Sequence, residues 1–215
     1  MSPESLESAT NGPRTPLSRE RVITAAVQLA NAEGIEALSM RRLAGSLGVE
    51  AMSLYNHVAN KDDLLDAMVE YVVAQIEVAT PGPDWKASMR RRSTSAHEVL
   101  LRHPWATLLI LSRINAGPAM LRYVDATIGC LRVAGFSPPM ADSAWNAIDN
   151  HVYGFTLQAL NFPFDQGEYA QAAAAFLPQL PADTYPHLRE LAQLVIDGRH
   201  DGVSDFRFGL DLILD

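Results

Sequence analysis

Apolar residues recur at intervals of three and four along most of the chain, with polar residues between them. A clear case is the run in which Leu64, Leu65, Met68, Val72 and Ile76 follow one another in these steps. Such spacing places the apolar side chains on one face of an α-helix, whereas a half-buried strand would alternate every second residue. No stretch alternates cleanly with period two, and β-branched residues do not cluster. We therefore predict an all-α protein.

The pattern is most informative between Ser39 and Lys61, where it predicts two short helices joined by a tight turn. Ser39 is a favourable N-cap, and Gly48 can end the first helix because glycine readily adopts positive φ. A second short helix is predicted over residues 50–57, with Leu54 turned inward. Its other face is polar and aromatic with little charge, as suits contact with base edges and phosphates. That face comprises Ala51, Met52, Ser53, Tyr55, Asn56 and His57.

This arrangement is typical of a helix-turn-helix with residues 50–57 as the recognition helix. The spacing alone fits equally well a pair of helices around a glycine in a small domain that binds no DNA.

Turn and cap signals divide the chain into three parts. Residues 1–17 are rich in proline and small polar residues and are predicted to be a flexible tail. Within the tail, Arg14 could reach a minor groove, or it could have no role. Residues 18–80 form a helical head, which Pro81-Gly82-Pro83 separates from a body over residues 84–215.

Two further helices complete the head. Ser18 is a good N-cap for the first helix, and Gly34 is placed to end it. Asn60 caps a connecting helix that is predicted to run to about Val78, with acidic residues in its first turn, where the helix dipole favours them.

The body is predicted to be helical throughout. The expected helices cover residues 84–103, 105–111, 118–134, 138–161, 168–177, 187–198 and the stretch from Ser204 to the C-terminus. The run Arg90-Arg91-Arg92 is interpreted as a solvated face. The helix over residues 138–161 carries an apolar stripe (Trp145, Ile148, Val152, Phe155, Ala159) and a second, mixed surface that suits a partner subunit. The apolar C-terminal stretch either packs on its own domain or forms a dimer seam.

The basic residues that favour nucleic-acid binding are concentrated in one segment of the chain. The chain has a formal net charge of −8, which argues against general coating of nucleic acid. Between Ser39 and Lys61, however, Arg41, Arg42 and Lys61 face a single acid, Glu50. Because salt screens charges beyond about 10 Å, local charge counts for more than the total. This basic island predicts specific binding with few phosphate contacts and weak non-specific binding.

Catalytic and metal-binding patterns are missing from the sequence. It contains no HExxH, CxxC, P-loop or GxGxxG motif, and none of the six histidines has ligand spacing backed by a third ligand. We therefore expect no enzymatic activity, no metal and no cofactor. The one cysteine, Cys130, lies in an apolar helical pattern and is expected to be a buried thiol. There is no long apolar run and no signal peptide, so we expect a cytoplasmic protein without a membrane partner.

Residues 19–71 resemble the N-terminal domain of the TetR (tetracycline-repressor) family of transcriptional regulators. The matching residues are Val22, Ala26, Leu29, Ala30, Gly34, Leu38, Ser39, Leu43, Ala44, Leu47, Gly48, Val49, Ser53, Leu54, Tyr55, His57, Val58, Asn60, Lys61, Leu64 and Leu65. The C-terminal half resembles the branch nearest the tetracycline repressor itself. Its matching pieces are His103-Pro104-Trp105, Gly135-Phe136-Ser137, Gly154-Phe155-Thr156-Leu157 and Phe206 to Leu214.

The resemblance implies a three-helix, helix-turn-helix DNA-binding domain followed by a helical ligand-binding and dimerisation domain. It implies a homodimer that binds a palindromic double-stranded operator and is released by a small-molecule effector. The dimer would be a four-helix bundle built from residues of about 138–161 and 203–214 of each subunit.

The resemblance also assigns candidate DNA contacts. Tyr55, His57 and Lys61 match positions that contact phosphate or groove, and Arg41 matches one that reaches a base or the backbone. Asn56 could read adenine and Met52 a thymine methyl. Because Met40, Ala51, Met52 and Asn56 differ from the tetracycline repressor, a different operator is expected. The full candidate set is Met40, Arg41, Arg42, Ala51, Met52, Ser53, Tyr55, Asn56, His57 and Lys61.

The effector pocket is expected in the body, under the connecting helix. Candidate lining residues are His97, Leu101, Trp105, Leu109, Arg113, Trp145, Asp149, Tyr153 and Phe162. Plain core packing is an equal alternative for most of them, whereas Arg113 and Asp149 need a partner if buried. Ile110 and Phe162 stand where drug-responsive members use histidine and glutamate toward drug-bound magnesium. A mainly apolar or aromatic effector other than tetracycline is therefore expected.

These observations favour a ligand-responsive transcriptional regulator, most simply a repressor. The alternative is a helical small-molecule-binding protein or enzyme that retains a vestigial DNA-binding head. The basic island supports the regulator, as does the lack of a catalytic constellation.

Overall fold

The structure is a computed structural model that describes residues 16–164, 167–200 and 205–215. These residues form eleven α-helices and no strand, which confirms the all-α prediction. The predicted flexible tail, apart from its last two residues, and with it Arg14, lies outside the described residues, as does Ser204. The helices are α1 (Arg19–Glu33), α2 (Met40–Leu47), α3 (Ala51–Leu54), α4 (Lys61–Val73), α5 (Trp85–Arg102), α6 (Ala106–Ser112), α7 (Pro118–Val133), α8 (Pro138–Leu160), α9 (Glu168–Phe176), α10 (Pro186–Ile196) and α11 (Phe206–Leu214).

Helices α1 to α4 form the head, and their predicted caps are confirmed. The hydroxyl oxygen of Ser18 accepts from the Arg21 amide at the start of α1. Gly34 ends α1 at φ 82°. The Asn60 side chain accepts from the Asp63 amide and caps α4. The core shared by these helices is aliphatic and fully buried: Val22, Ala26, Leu43, Leu54, Leu64 and Met68.

Two predicted helix ends are wrong. The recognition helix is α-helical only from Ala51 to Leu54, because the amide of Tyr55 donates to Met52 and that of His57 to Leu54, at three-residue steps. This tighter turn buries Val58 and delivers the chain to the cap of α4. The connecting helix ends at Val73 rather than near Val78.

The body is organised around α5 and α8, which pack against each other and are flanked by α7 and α11. The buried apolar residues between them include Met89, Ala96, Leu131, Ile148, Val152 and Leu210. Cys130 is buried, as predicted. Helices α9 and α10 pack on each other as a hairpin.

The stripe of α8 that faces the core differs from the prediction. Ile148 and Val152 are buried as expected, but Trp145 and Phe155 are half-buried and Ala159 is exposed. The buried residues are Ala141, Ile148, Asp149, Val152 and Thr156. Two polar residues therefore point inward, which apolar periodicity does not reveal.

The interpretation of Arg90-Arg91-Arg92 as a solvated face is wrong for the third arginine. Arg90 and Arg91 remain partly exposed and pair with Asp211 and Glu77 at 2.5 and 3.1 Å. Arg92 is 0% exposed. Because successive residues of a helix point about 100° apart, at 3.6 residues per turn, Arg92 faces α8 while its neighbours face outward.

Candidate DNA-binding surface and internal cavity

The turn between α2 and α3 is built around Gly48. Its φ of 67° and ψ of 35° lie in the left-handed region, and its amide bonds back to the last turn of α2. The Val49 amide donates to the Ala44 carbonyl at 3.0 Å, which closes the turn. At the other end of α2, the Ser39 hydroxyl accepts from the Arg42 amide at 3.2 Å. These contacts hold α2 and α3 in the helix-turn-helix arrangement.

The outer face of α3 presents an apolar and an aromatic side chain to solvent. Met52 is 74% exposed and Tyr55 is 43% exposed, and Asn56 beside them is exposed as well. Ala51, Ser53 and His57 are half-buried at the edge of this face, as is Met40 at the start of α2. The surface suits a groove in which side chains reach base edges and methyl groups.

The basic residues around this face differ in availability. Arg42 pairs with Glu33 of α1 and is therefore partly committed within the head. Arg41 and Lys61 are exposed, and neither forms an ion pair within the part of the chain that the structure describes. These two cations can bind phosphate without giving up a partner inside the protein.

Hydrogen bonds of Arg19 to Asp63 and to the His57 carbonyl, here called the clasp, hold the end of this surface in place. The sequence analysis did not predict them. The Arg19 guanidinium donates to the His57 carbonyl at 2.7 Å and to both carboxylate oxygens of Asp63 at 3.0 and 2.7 Å. The Asp63 carboxylate also accepts from the Ala59 amide at 2.8 Å. Hydrogen bonds from Arg19 and Ala59 lower the pKa of Asp63 to about 2. The clasp orients the segment from Tyr55 to Lys61. In the sequence, only the acidic residues in the first turn of α4 indicated that a cation could bind there.

The body contains a cavity of about 300 Å³ between α6, the loop after it, α7 and α8. Three tyrosine and tryptophan rings, three asparagine amides and one carboxylate line it. The lining residues are Ile110, Leu111, Asn115, Met120, Tyr123, Val124, Trp145, Asn146, Asp149, Asn150 and Tyr153. Aromatic walls with a few placed polar groups are typical of a small-molecule site.

Three of the nine predicted pocket residues, Trp145, Asp149 and Tyr153, meet in this cavity. The structure gives the other six different surroundings. His97 stacks on Phe206 with ring centroids 4.3 Å apart. Leu101 is exposed and Leu109 is half-buried. Phe162 packs on Tyr169, with ring centroids 5.4 Å apart.

The remaining two, Trp105 and Arg113, form links between the body and the head. The Trp105 indole donates to Asn31 of α1 at 2.7 Å. His103 Nδ1 lies 3.0 Å from the same Asn31 oxygen, while its Nε2 lies 3.3 Å from the amide nitrogen of Gln75. Arg113 pairs with carboxylates of α4. The partners of these residues are too far away along the chain to be predicted from local spacing.

A charged network lies against the cavity. Arg92 donates to Asp149 Oδ1 at 2.6 Å, and its guanidinium stacks 4.3 Å from the Tyr123 ring. The Trp145 indole donates to Asp149 Oδ2 at 2.7 Å. Burial raises the pKa of Tyr123 well above its usual value, and burial with the Asp149 charge raises the pKa of Tyr153, so both phenols stay protonated. The charges of Arg92 and Asp149 cancel, which leaves a polar but neutral wall.

Two lining groups still have hydrogen-bonding capacity. The Tyr123 hydroxyl and the Asn115 side-chain oxygen are buried without a partner in the described structure. A buried polar atom of this kind costs free energy unless a ligand or water bonds to it. Sequence reasoning missed both residues, together with Arg92 and Met120, because their neighbours lie on other helices.

The α9–α10 hairpin forms a second, larger groove of about 450 Å³. Its lining is almost wholly apolar and aromatic, with residues such as Phe164, Phe176 and Leu191. Among the residues that the structure describes, no charged or amide group lines this groove to fix the orientation of a small ligand. The smaller cavity is therefore the better candidate site.

The described residues contain neither a group of candidate metal ligands nor a membrane-spanning helix. Across residues 16–164, 167–200 and 205–215, no three histidine, cysteine or acidic side chains are grouped to hold a metal ion. Among the helices described, none is long and apolar enough to span a membrane.

Comparison with known proteins places the chain in a family. Residues 22–68 match the family model for bacterial regulatory proteins of the tetR family, and residues 79–215 match the tetracyclin repressor-like C-terminal domain. The HTH-type transcriptional repressor DrrR1 of Streptomyces coeruleorubidus is 32% identical over 96% of this chain and 79% of its own length. The class D tetracycline repressor of Escherichia coli is 31% identical over 92% of this chain and 88% of its own.

Solved structures agree with these relatives. The Streptomyces coelicolor TetR family protein ActR, in complex with actinorhodin, aligns with a TM-score of 0.78 at 30% identity, covering 93% of this chain and 96% of ActR. Both the head and the body are thus matched in sequence and in three dimensions. This chain belongs to the TetR family of bacterial transcriptional regulators.

Proposed function

We propose that this protein is a homodimeric repressor that binds a palindromic operator and is released when a small molecule enters the cavity between α6, α7 and α8. The observation that carries the proposal is the exposed face of α3 flanked by the unpaired cations Arg41 and Lys61. Two such faces in a dimer would enter successive major grooves, about 34–36 Å apart. The site of action would be the cytoplasm, where the operator lies, and no catalytic role is proposed.

DNA binding is tested by fluorescence anisotropy with the protein's own upstream intergenic duplex across a salt series. We expect tight binding, with the logarithm of the affinity falling linearly with the logarithm of the salt concentration because phosphate contacts release counterions. Tyr55→Ala should abolish specific binding, and Lys61→Gln should lower affinity and flatten the salt slope by roughly one. Lys86→Gln, far from the head, is the matched control. Wild-type binding to this duplex that is no tighter than to a scrambled duplex would overturn the proposal.

The second copy is proposed to cover α11 and the outer face of α8. Phe208 and Leu212 of α11 are 65% and 69% exposed, and Ile213 beside them is also exposed. Gly209 lets α11 approach α8 closely, since a Cβ there would lie 2.5 Å from the His151 ring. Burying such a row of large apolar side chains against its symmetry mate is typical of a dimer interface.

The proposed effector is a flat aromatic molecule without net positive charge. Tyr123, Trp145 and Tyr153 supply ring surfaces, while the paired Arg92 and Asp149 leave no uncompensated carboxylate for a cation. The relative ActR has been solved with actinorhodin bound. The earlier candidates His97, Leu101, Trp105, Leu109, Arg113 and Phe162 remain a prediction that ligand contacts would have to establish.

Effector binding is tested with actinorhodin as the probe and is measured by intrinsic fluorescence and by release of bound DNA. An aromatic ligand should stack on Trp145, quench its emission and lower the affinity for the operator. Trp145→Leu should weaken binding at least tenfold, whereas Trp85→Leu, which removes a ring packed on Phe136 away from the cavity, should not. A probe that binds equally well to the Trp145 variant would place the effector elsewhere.

A further inference from the structure

One face of α4 bears three acidic residues spaced by four: Asp62, Asp66 and Glu70. Asp62 and Asp66 contact Arg113 in the connection between α6 and α7, and Glu70 contacts the first turn of α7. Arg113 Nε donates to the Asp66 carboxylate at 2.9 Å, and Arg113 Nη1 donates to the Asp62 carboxylate at 3.2 Å. One turn further along α4, the Glu70 carboxylate accepts from two backbone amides of α7. Residues four apart lie on one face of a helix, so these carboxylates form a row along α4.

Glu70 caps a helix that lacks a cap of its own. Its two oxygens accept from the amides of Ala119 at 2.7 Å and Met120 at 3.1 Å, in the first turn of α7. The residue before α7 is Gly117, and no side chain of α7's own N-terminus satisfies these amides. A carboxylate is favourable there because the N-terminal amides carry partial positive charge.

Gly117 is required by this close approach. A Cβ at position 117 would lie 2.1 Å from the Glu70 Cδ atom. The backbone of Gly117, at φ −74° and ψ 160°, is one that any residue adopts, so only the Glu70 side chain excludes a larger residue.

The segment held by α4 is also a wall of the cavity. Asn115 lies between Arg113 and Glu70's contacts, and its unpartnered side-chain oxygen belongs to the cavity lining. Met120, whose amide bonds to Glu70, lines the same cavity. A molecule that bonds to Asn115 or displaces Met120 therefore acts on the residues that contact α4. Helix α4 in turn begins beside the recognition surface, at Lys61.

We infer that Glu70 is the positioning residue that couples the cavity to the DNA-binding head, with Gly117 leaving room for its carboxylate and Arg113 forming a second link. This inference rests on the proposed function. DNA binding and effector binding would oppose each other because each favours a different state of the bond between Glu70 and α7. Coupling of this kind is reciprocal, so operator DNA alone reports on it.

The test is hydrogen–deuterium exchange of the full chain with and without its upstream operator duplex. In the wild type, operator should slow exchange of the Ala119 and Met120 amides at least about fivefold, the lower end of typical coupling. In Glu70→Ala that response should vanish while the affinity for DNA stays within a few fold. Gly117→Ala keeps the charge but expels the carboxylate and should behave like Glu70→Ala. Asp125→Asn, an exposed acid on α7, is the control and should respond like the wild type.

The outcomes separate the two claims. Tight operator binding without a response at Ala119 and Met120, or an undiminished response in Glu70→Ala, would overturn the coupling role and leave the proposed function standing. Wild-type protein that binds its upstream DNA no better than a scrambled duplex would overturn the proposed function and the coupling with it. Thermal unfolding of each variant distinguishes lost coupling from lost folding.

Discussion

At the scale of single residues, the Arg92–Asp149 pair dominates the interior of the body. The arginine is fully buried and donates one short hydrogen bond to the carboxylate. Its Nε and Nη1 atoms have no hydrogen-bond partner in the described structure. Desolvating two charges is costly, so such a pair adds little net stability over an apolar core. Breaking it, however, leaves an uncompensated buried charge. The pair is better understood as the group that orients Trp145 and Tyr123 around the cavity.

Asp149→Asn should therefore destabilise the protein strongly. Removing one partner of a buried ion pair typically costs about 3–5 kcal/mol. Urea unfolding monitored by circular dichroism measures the change at fixed protein concentration. Asp142→Asn, an exposed acid on the same helix, should change stability by less than about 0.5 kcal/mol. Equal stability of the two variants would contradict the importance given to the pair.

Two histidines make stability depend on pH. Burial lowers the pKa of His97 below the usual 6.5 although the Glu98 charge opposes it, and burial with the Arg102 charge lowers the pKa of His103. A base with a depressed pKa binds its proton more readily in the unfolded chain, so stability falls as the pH drops below about 6.5. The melting temperature should thus decrease from pH 7.5 to 5.5. His97→Gln should reduce that decrease, whereas the exposed His187→Gln should leave it unchanged.

Single residues were the least predictable part of the sequence. The need of Asp149 and Arg113 for partners follows from their charge, but their partners, Arg92 and the acids of α4, lie on distant helices. Arg92 lies at helical spacing from the buried Met89 and Ala96, but its charge favours solvent, so its burial was not predicted. Exposed positions on a short element are easier, and Met52, Tyr55 and Asn56 all lie on the surface expected of them.

At the scale of elements, the helix-turn-helix depends on how α2 ends. Gly48 adopts a left-handed conformation, which any residue with a Cβ adopts at a cost of roughly 1–2 kcal/mol. The turn it makes places Val49 and Leu54 against the head core, and so fixes the direction of α3.

Gly48→Ala should destabilise the head by about 1–2 kcal/mol. Gly45→Ala provides the matched comparison, because Gly45 lies within α2 and an added Cβ there meets nothing within 4 Å. That change should stabilise the protein by about 0.5–1 kcal/mol through better helix propensity. Thermal unfolding of the two variants should thus shift in opposite directions; shifts of the same sign would contradict this account of the turn.

The elements themselves were largely predictable. Caps such as Ser18, Ser39 and Asn60 act locally, so short-range chemistry was enough to locate helix starts. Helix ends at Leu54 and Val73 were missed because tertiary packing, here the burial of Val58 and Ile76, decides where the chain turns.

At the scale of the whole molecule, α11 leaves large apolar side chains uncovered by its own subunit. Sequence could indicate that the C-terminal helix needs cover, but not whether its own domain supplies it. The structure buries Phe206, Leu210 and Leu214 within the subunit and leaves Phe208 and Leu212 outside. One helix thus serves the core with one face and leaves the other for the proposed second copy.

Leu212→Asp should prevent association, because two carboxylates would meet an apolar interface across the symmetry axis. Sedimentation velocity should show a dimer for the wild type and a monomer for the variant, together with a large loss of operator affinity. Leu121→Asp alters another largely exposed leucine, on α7, and should remain dimeric. A dimeric Leu212→Asp variant would direct attention to another surface.

The shortness of α3 sets a limit on how much information one subunit can extract from a genome. A helix of four residues, with a turn behind it, presents only a few side chains to the bases, and a few base pairs recur by chance throughout a chromosome. A regulator must distinguish its site among roughly 10⁶–10⁹ competitors. Two copies of the same short base sequence at a fixed separation occur by chance far less often than one copy. Specificity therefore rises without a longer recognition helix. In the proposed dimer, the spacing between the two heads is therefore part of what the protein recognises. A ligand that changes this spacing would prevent operator binding while leaving the base-contacting residues of each head unchanged.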